Sequence, residues 1–538
     1  MCGICGTYIS NKVNKASLIN LTLLQKNIND FLSIPNNKLI NRIEKKIINY
    51  KSDINFLKYF YILEDRKKIK QIIKTLRLIE KKNLKKYSTL IKDLIFNLDI
   101  ELKNRYKFVK NNSVKEFLIN DKYIIFLKVL YNSINSINYL EMRGRDSLGA
   151  CFQIKIKKNF FNSEKLQINK IKNCHYFFEK DICTLTFYFK TFSLVGMLRQ
   201  NSEILLKIIL NNKDFINLIN LNYESISIFF HTRWASVGKV NSENTHPINN
   251  ISLSKQKLKK SFSSVNGDIY NYKELIKNER IKNKNLNLQT TSDSLALSYL
   301  VGNIDNNDSD KQILKKITKL QGSYVSASVS DNFSGKILVI KNGQQGLYIG
   351  KSIDRYFFAS DVYALVEEST SYYKVENNSF FFLPINTNEK FNYYDIDLNH
   401  KFTIDKFINI NINLRDIYLN NYSHYFAKEI NETSSIINKT NLKYNDHNNF
   451  FFNKSPFLKK IKKSIFGGKI NKIIITGMGS CYTAAVAIAH YLRIMLDRYT
   501  NINITIQPHI ASEASGFYTN INMKNHLIII LGQSGTTV

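Results

Sequence analysis

Cysteine is scarce in this chain: six residues in 538, too few to form the disulfide framework on which small secreted domains depend. The thiols are therefore expected to be reduced and the compartment cytoplasmic. Long apolar runs are lacking as well. The longest, such as HLIIILG, have the length of a strand and fall far short of a bilayer span. No apolar leader precedes the first cysteine, so a soluble protein without a membrane partner is expected. Acidic residues are outnumbered, 43 against 77 Lys and Arg, giving a formal charge of +34. That excess is lysine scattered among asparagine and isoleucine, with no basic stripe interleaved with aromatics, and this argues against a nucleic-acid partner. No metal-ligand cluster and no dinucleotide glycine fingerprint stands out, so neither metal nor cofactor is expected.

Hydrophobic residues make up 44% of the chain and aromatics 12%, which excludes a wholly disordered polymer. The length allows two or three domains. Residues 2–9 read as a short buried strand. From about 11 to 125 the texture becomes KKIKQIIKTLRLIEKKNLKKYSTLIKDLIFNL and the like, apolar residues at helical spacing with lysines between, which predicts an insertion of amphipathic helices. A second motif-poor stretch, about 155–222, reads as another insertion. After Ser225, segments such as SISIFFHTRWASVG, SFSSVNGDIYNY and GSYVSASVSDN alternate apolar and polar residues between turns, the pattern of antiparallel strands. The polar stretch 416–450 is expected to be a linker. Beyond it, KINKIIITGMGSCYTAAVAIAHYL reads as strand, Gly/Ser turn and helix, a unit of parallel α/β structure with ligands at the strand ends. A parallel domain of that kind cannot close on about three strands, so 451–538 is expected to be its truncated first part, and the chain a fragment.

The chemistry starts at the opening MCGICGTYIS. If Met1 is removed, Cys2 becomes the first residue, and its thiol lies beside its own α-amino group. That amine titrates near ~7.7–8.0 and can act as a base at neutral pH, the arrangement of an N-terminal nucleophile. A buried structural cysteine, or a metal or redox pair with Cys5, is the competing reading at this position.

Six segments fall in order: MCGI, EMRGRDSLG (141–149), HTRWASVG (231–238), NTHP (244–247), SVNGDIYNY (264–272) and TTSDSLA (290–296). Together they resemble the glutaminase domain of the class II, N-terminal-nucleophile amidotransferases, whose fold is a four-layer α+β arrangement of antiparallel sheets. The resemblance covers residues 2–415 apart from the two insertions. It implies that Cys2 is the catalytic nucleophile and that Arg233 grips the glutamine α-carboxylate, with Asp293 taking the α-ammonium. It further implies that the Asn266 amide and the Gly267 N–H form the oxyanion hole and that Trp234 gates the ammonia path. His246 would line the pocket, and Arg143 would position the nucleophile loop. Taken alone, the Asn-Gly pair also fits a hairpin turn. Two positions depart from the family: Arg145 stands where a tyrosine is usual, and Val265 where a histidine is.

In the last part, GMGSCYTAA, IASEASGF and GQSGTT resemble the sugar-isomerase (SIS) domain of the glutamine:fructose-6-phosphate aminotransferase family. By that resemblance Ser480, Cys481, Gln533, Ser534 and Thr537 face a sugar phosphate. Hydroxyls and backbone N–H groups at a strand end before a helix suit that ligand. Cys481 and Gly532 replace family serines. No pyrophosphate loop of an asparagine synthetase and no phosphoribosyltransferase motif is found. The implied reaction is hydrolysis of L-glutamine, with the ammonia channelled to fructose 6-phosphate to give glucosamine 6-phosphate and glutamate, in a homodimer paired through the SIS domain. A glutaminase-only fragment, or a sugar-phosphate-binding regulator, is the alternative.

Overall fold

The computed structural model describes every residue except 1, 11–20, 53–62, 83, 113–119, 159–170, 193–198, 222, 235–237, 252–258, 283–289, 353, 405, 411, 420–421, 423, 447–448, 451–454, 518–521 and 533–538. The chain divides into two units, Met1–Tyr418 and Leu419–Val538.

Two antiparallel sheets organise the first unit. The nine-stranded sheet runs, edge to edge, Ile408–Asn409, Ser371–Lys374, Tyr348–Lys351, Tyr356–Ala359, Gly3–Ser10, Tyr223–Arg233, Ser147–Lys157, Ile182–Phe192 and Cys174–Glu179. The seven-stranded sheet runs His400–Thr403, Asn392–Asp395, Ser379–Phe382, Leu338–Asn342, Gly322–Ser330, Ser261–Ile269 and Ile248–Asn249. Successive side chains of a strand point to opposite faces, and the central strands of both sheets are buried at nearly every position, so each sheet is covered on both faces. Ile4, Tyr8 and Phe229 from the first sheet meet Phe262, Val325 and Val339 from the second in one buried cluster. On the far side of the first sheet, helices Asp121–Tyr139, Gln200–Asn211 and Lys213–Asn220 cover Phe152, Phe187 and Ile228. Phe215 lies 5.0 Å from both Phe152 and Phe187, edge-on. On the far side of the second, Leu297, Val301, Ile313 and Ile317 from helices Ser294–Val301 and Asp310–Ile317 pack on Val265 and Ile340. The result is helix, sheet, sheet, helix. Burying each of the large core side chains contributes roughly 1.5–3 kcal/mol.

Residues 174–220, expected as part of an insertion, supply two strands of the main sheet and two helices of its cover. Among the described residues of 21–111, helices form as their spacing predicts, at Leu21–Ser33, Asn37–Ser52, Leu63–Lys81, Ser88–Phe96 and Leu102–Asn111. They bury a core of their own, with Leu24, Ile28, Phe31, Ile72, Leu76 and Ile91 at its centre. The last helix joins the two cores, for Leu102 belongs to this bundle and Val109 to the cluster against the sheet. The preceding residues Asn97–Glu101 form a single π-turn.

In the second unit a parallel sheet has the order Thr505–Ile510, Lys472–Gly477, His526–Ile530. Ala485 and Ala489 of helix Ser480–Tyr499 pack on Ile473 and Ile475. Where composition predicts a linker, helix Tyr425–Tyr444 forms and belongs to this unit. Among the described residues, no helix is long and apolar enough to cross a membrane.

Candidate active site

Cys2 lies at the head of the strand Gly3–Ser10, whose register sets Gly3 opposite Thr232 and Cys5 opposite Ala359. Its neighbours are therefore the ends of two adjacent strands. The Cys2 backbone N–H donates to Asn266 Oδ1 at 3.1 Å. The Trp234 N–H donates to Cys2 Sγ at 3.3 Å, and the thiol reaches the Trp234 carbonyl at 3.6 Å. Burial pushes the thiol pKa above its ordinary value of 9.0, opposed by the Trp234 backbone bond and by Arg233. The thiol is thus neutral at pH 7 and needs a base to attack.

Asn266 comes from the second sheet. Its Nδ2 donates to Ser360 Oγ at 3.3 Å, and the same hydroxyl accepts the Ile4 N–H at 2.9 Å. In this arrangement Asn266 holds the nucleophile's own nitrogen. The Asn-Gly pair is no hairpin turn: both residues lie inside the strand Ser261–Ile269, opposite Val325 and Tyr324. Gly267 has φ +127°, and a Cβ there would stand 2.1 Å from the Ser323 carbonyl oxygen. The strand bends at that point as only glycine permits.

Arg233 ends the strand Tyr223–Arg233 and is 4% exposed. Its Nη1 donates to the Lys239 carbonyl at 3.3 Å, and burial lowers its pKa from an ordinary value far above neutrality. The same carbonyl accepts Asn244 Nδ2 at 3.0 Å, while Asn244 Oδ1 accepts Thr290 Oγ1 and the Thr291 N–H, each at 2.8 Å. This network ties the segment after Arg233 to the one that carries Asp293. The Asp293 carboxylate accepts the Ile269 N–H at 2.8 Å and sits at the start of helix Ser294–Val301. Burial raises its pKa, opposed by that Ile269 bond.

His246, preceding a cis proline, is buried, and its Nε2 bonds Ser294 Oγ at 2.9 Å. Its ring lies 4.1 Å, edge-on, from that of His231. Burial drives His231 down to about 3 and His246 well below 6.5. Both are neutral spacers through the physiological range. The His246 carbonyl presses on Gly149, where a Cβ would meet it at 1.7 Å.

Arg143 pairs with Asp361, and Asp361 Oδ1 accepts the Tyr363 N–H at 3.2 Å. Nothing in the sequence singles out Ser360 and Asp361, for RYFFASDVYALVEE reads only as a strand. Trp234 places its backbone against Cys2, whereas its side chain is 55% exposed.

The structure thus gathers Cys2, Asn266, Gly267, Arg233, Trp234, Asp293, His246 and Arg143 within the first unit. Ser480 and Cys481 begin helix Ser480–Tyr499 in the second, just past the strand Lys472–Gly477. Gln533, Ser534 and Thr537 lie outside the described residues.

Residues 246–367 match the family of glutamine amidotransferase domains. The relatives carry the resemblance further. A protein of Clostridium tetani named glutamine–fructose-6-phosphate aminotransferase (isomerizing) is 28% identical over 310 residues, covering 57% of this chain and 46% of its own. A protein of the same name from Clostridium acetobutylicum is 29% identical over 319 residues, with the same coverages. The chain spans about half the length of the curated relatives it matches. Two solved structures also match. One, the allosteric regulatory enzyme of purine biosynthesis, is 20% identical over 48% of this chain and 45% of its own, TM-score 0.32. The other, glutamine phosphoribosylpyrophosphate amidotransferase from B. subtilis, is 16% identical over 70% and 62%, TM-score 0.33.

Proposed function

We propose that this chain is a glutamine-dependent amidotransferase whose first unit hydrolyses L-glutamine. The observation that carries the reading is the pairing of Cys2 with Asn266 and the Trp234 backbone, which holds a thiol and the nitrogen of the same residue against the buried Asn266 amide. Removal of Met1 makes that nitrogen an amine able to take the thiol proton. The sulfur then forms a bond to the carboxamide carbon of glutamine. Oxyanion charge is met by the Gly267 N–H and by the second hydrogen of Asn266 Nδ2. The C–N bond breaks, ammonia leaves with the proton carried by the amine, and water hydrolyses the thioester to glutamate. Arg233 suits the α-carboxylate as a planar two-pronged donor, and Asp293 suits the α-ammonium. His246 packs behind them.

The relatives' names support fructose 6-phosphate as the ammonia acceptor, and glucosamine 6-phosphate is the product that the sequence resemblance implies. Trp234 would gate the ammonia path. Ser480 and Cys481, at a helix start beyond a parallel strand, suit a sugar phosphate, and Gln533, Ser534 and Thr537 would complete that SIS-type site. Pairing through the second unit would make a homodimer. The test is glutamate release from L-glutamine by the purified chain, with and without fructose 6-phosphate. Absence of glutamate in both conditions would exclude the reading.

The rate should follow the amine. Burial holds His231 down at about 3 and His246 well below 6.5, and it pushes the thiol above 9.0. Among these groups, the one that changes charge near neutrality is the α-amine, at roughly 7.7–8.0. Glutamine hydrolysis should therefore fall as pH drops through that range. A profile rising only above pH 9 would show an unassisted thiol. Substituting Asp293→Asn keeps an acceptor for the Ile269 N–H and removes the charge facing the α-ammonium. The expected outcome is a KM for glutamine raised on the order of 10- to 100-fold with kcat little changed, read from initial rates.

A further inference from the structure

The Lys-rich helical bundle, Leu21–Asn111, has no counterpart among the motifs that define the site, yet it is bolted to the site by charge. On the helix that joins the two cores, Arg105 is 3% exposed. Its Nε pairs with Glu101 one turn back, at the end of the π-turn. Its Nη2 donates to Glu367 Oε2 at 2.9 Å and to the Glu367 carbonyl at 3.3 Å. The other Glu367 oxygen accepts Tyr139 OH at 2.9 Å, and the guanidinium lies 5.6 Å from the centre of the Tyr131 ring. Three charges with almost no contact with water are thus held in one geometry. One carboxylate oxygen, Glu101 Oε2, has no hydrogen-bond partner among the described residues.

Glu367 closes the short turn that begins at Ser360. Between them lie Asp361, which holds Arg143, and the single helical turn Val362–Leu365. The Ser360 N–H donates to the Ile4 carbonyl at 2.9 Å, and the Ser360 hydroxyl accepts the Ile4 N–H. The same hydroxyl accepts Nδ2 of Asn266, whose Oδ1 holds the Cys2 nitrogen. Hydrogen bonds at either end of the backbone stretch 360–367 therefore link the bundle to the nucleophile. We propose that Arg105 is a positioning residue for Cys2: through Glu367 it fixes the 360–367 turn, and through Ser360 and Asn266 it fixes the nucleophile's nitrogen. The proposal rests on the glutaminase reading. An apolar trio would serve stability as well or better, since buried ion pairs often offset little of their desolvation cost. The rigid fork of arginine sets direction, which a lysine cannot match.

The test uses the full chain. In the triple substitution Arg105→Met, Glu101→Leu, Glu367→Gln, no buried charge is stranded and the Tyr139 bond is kept. In Arg105→Lys the charge stays and the fork is lost. Thermal melting establishes that each variant is folded, and glutaminase kinetics follow. The expected result is a kcat lowered on the order of 10-fold or more with KM for glutamine held within about twofold, because misplacing a reacting atom costs rate and spares substrate binding. A folded triple variant with wild-type kcat overturns the proposal, and so does a rate loss that only tracks the unfolded fraction. If the triple variant fails to fold, Arg105→Lys decides by the same split. Wild-type protein without glutaminase activity would sink the glutaminase reading itself, a separate outcome from an active wild type beside an equally active variant.

Discussion

Cys2→Ala is expected to lower glutamine hydrolysis by on the order of 10⁴-fold or more, the scale seen when a covalent nucleophile is deleted. The fold should survive. Cys2 is half-buried, and the contacts of its sulfur are to the Trp234 backbone alone among those described, so the substitution removes two weak sulfur bonds and creates no buried unpaired charge. The chemistry can be read directly with 6-diazo-5-oxonorleucine, an electrophilic glutamine analogue. A single adduct should map to Cys2 as the first residue, be blocked by glutamine, and vanish in Cys2→Ala. Cys5 is an internal control three residues away: it is 4% exposed, and burial pushes its thiol up to about 12. It should stay unmodified. Cys174 and Cys481 are half-buried as Cys2 is, so protection by glutamine is the discriminating arm. An adduct on Cys481 that glutamine does not block, with Cys2 untouched, would exclude an N-terminal nucleophile.

What the sequence discloses follows from which interactions are local. Strand alternation and helical spacing are properties of short windows, so the first strand, the antiparallel strands after Ser225, the parallel strands and the bundle helices are legible in the residues alone. Cys2, Arg233, Asn266 and Asp293 are legible as motif residues, and the structure places them in one unit. Ser360 and Asp361 are not, because they reach Ile4 and Arg143 only through strand pairing across more than two hundred residues. No window contains that information. The Asn-Gly pair misleads for a related reason: a hairpin is the local reading of Asn-Gly, but the Ser323 carbonyl on the neighbouring strand is what demands glycine at 267. Residues 174–220 read as insertion because their composition matches that of the bundle. The strand Ile182–Phe192 is fixed by pairing with Ser147–Lys157, and Cys174–Glu179 by pairing with Ile182–Phe192 in turn. The trio Arg105, Glu101 and Glu367 has no motif to announce it; in sequence it is three ordinary charges in a lysine-rich chain.

Gly267→Ala should cost both stability and rate, and by separable routes. At φ +127° an alanine is strained, a term of roughly 1–3 kcal/mol. Its methyl would also meet the Ser323 carbonyl at 2.1 Å, a contact with the backbone of a paired strand, where no side chain can swing aside. A total destabilisation on the order of 3 kcal/mol or more is expected, visible as a lower denaturant midpoint. The folded fraction should be slower as well. Relieving the contact rotates the 266–267 peptide, and with it go the N–H expected to face the oxyanion and the Asn266 side chain that holds Cys2. Losing one oxyanion donor lowers kcat on the order of 10²–10³-fold, so rates corrected for the folded fraction should still fall by that factor. Corrected rates equal to those of the wild type would show that glycine is needed at 267 for the strand alone and that the oxyanion is met elsewhere.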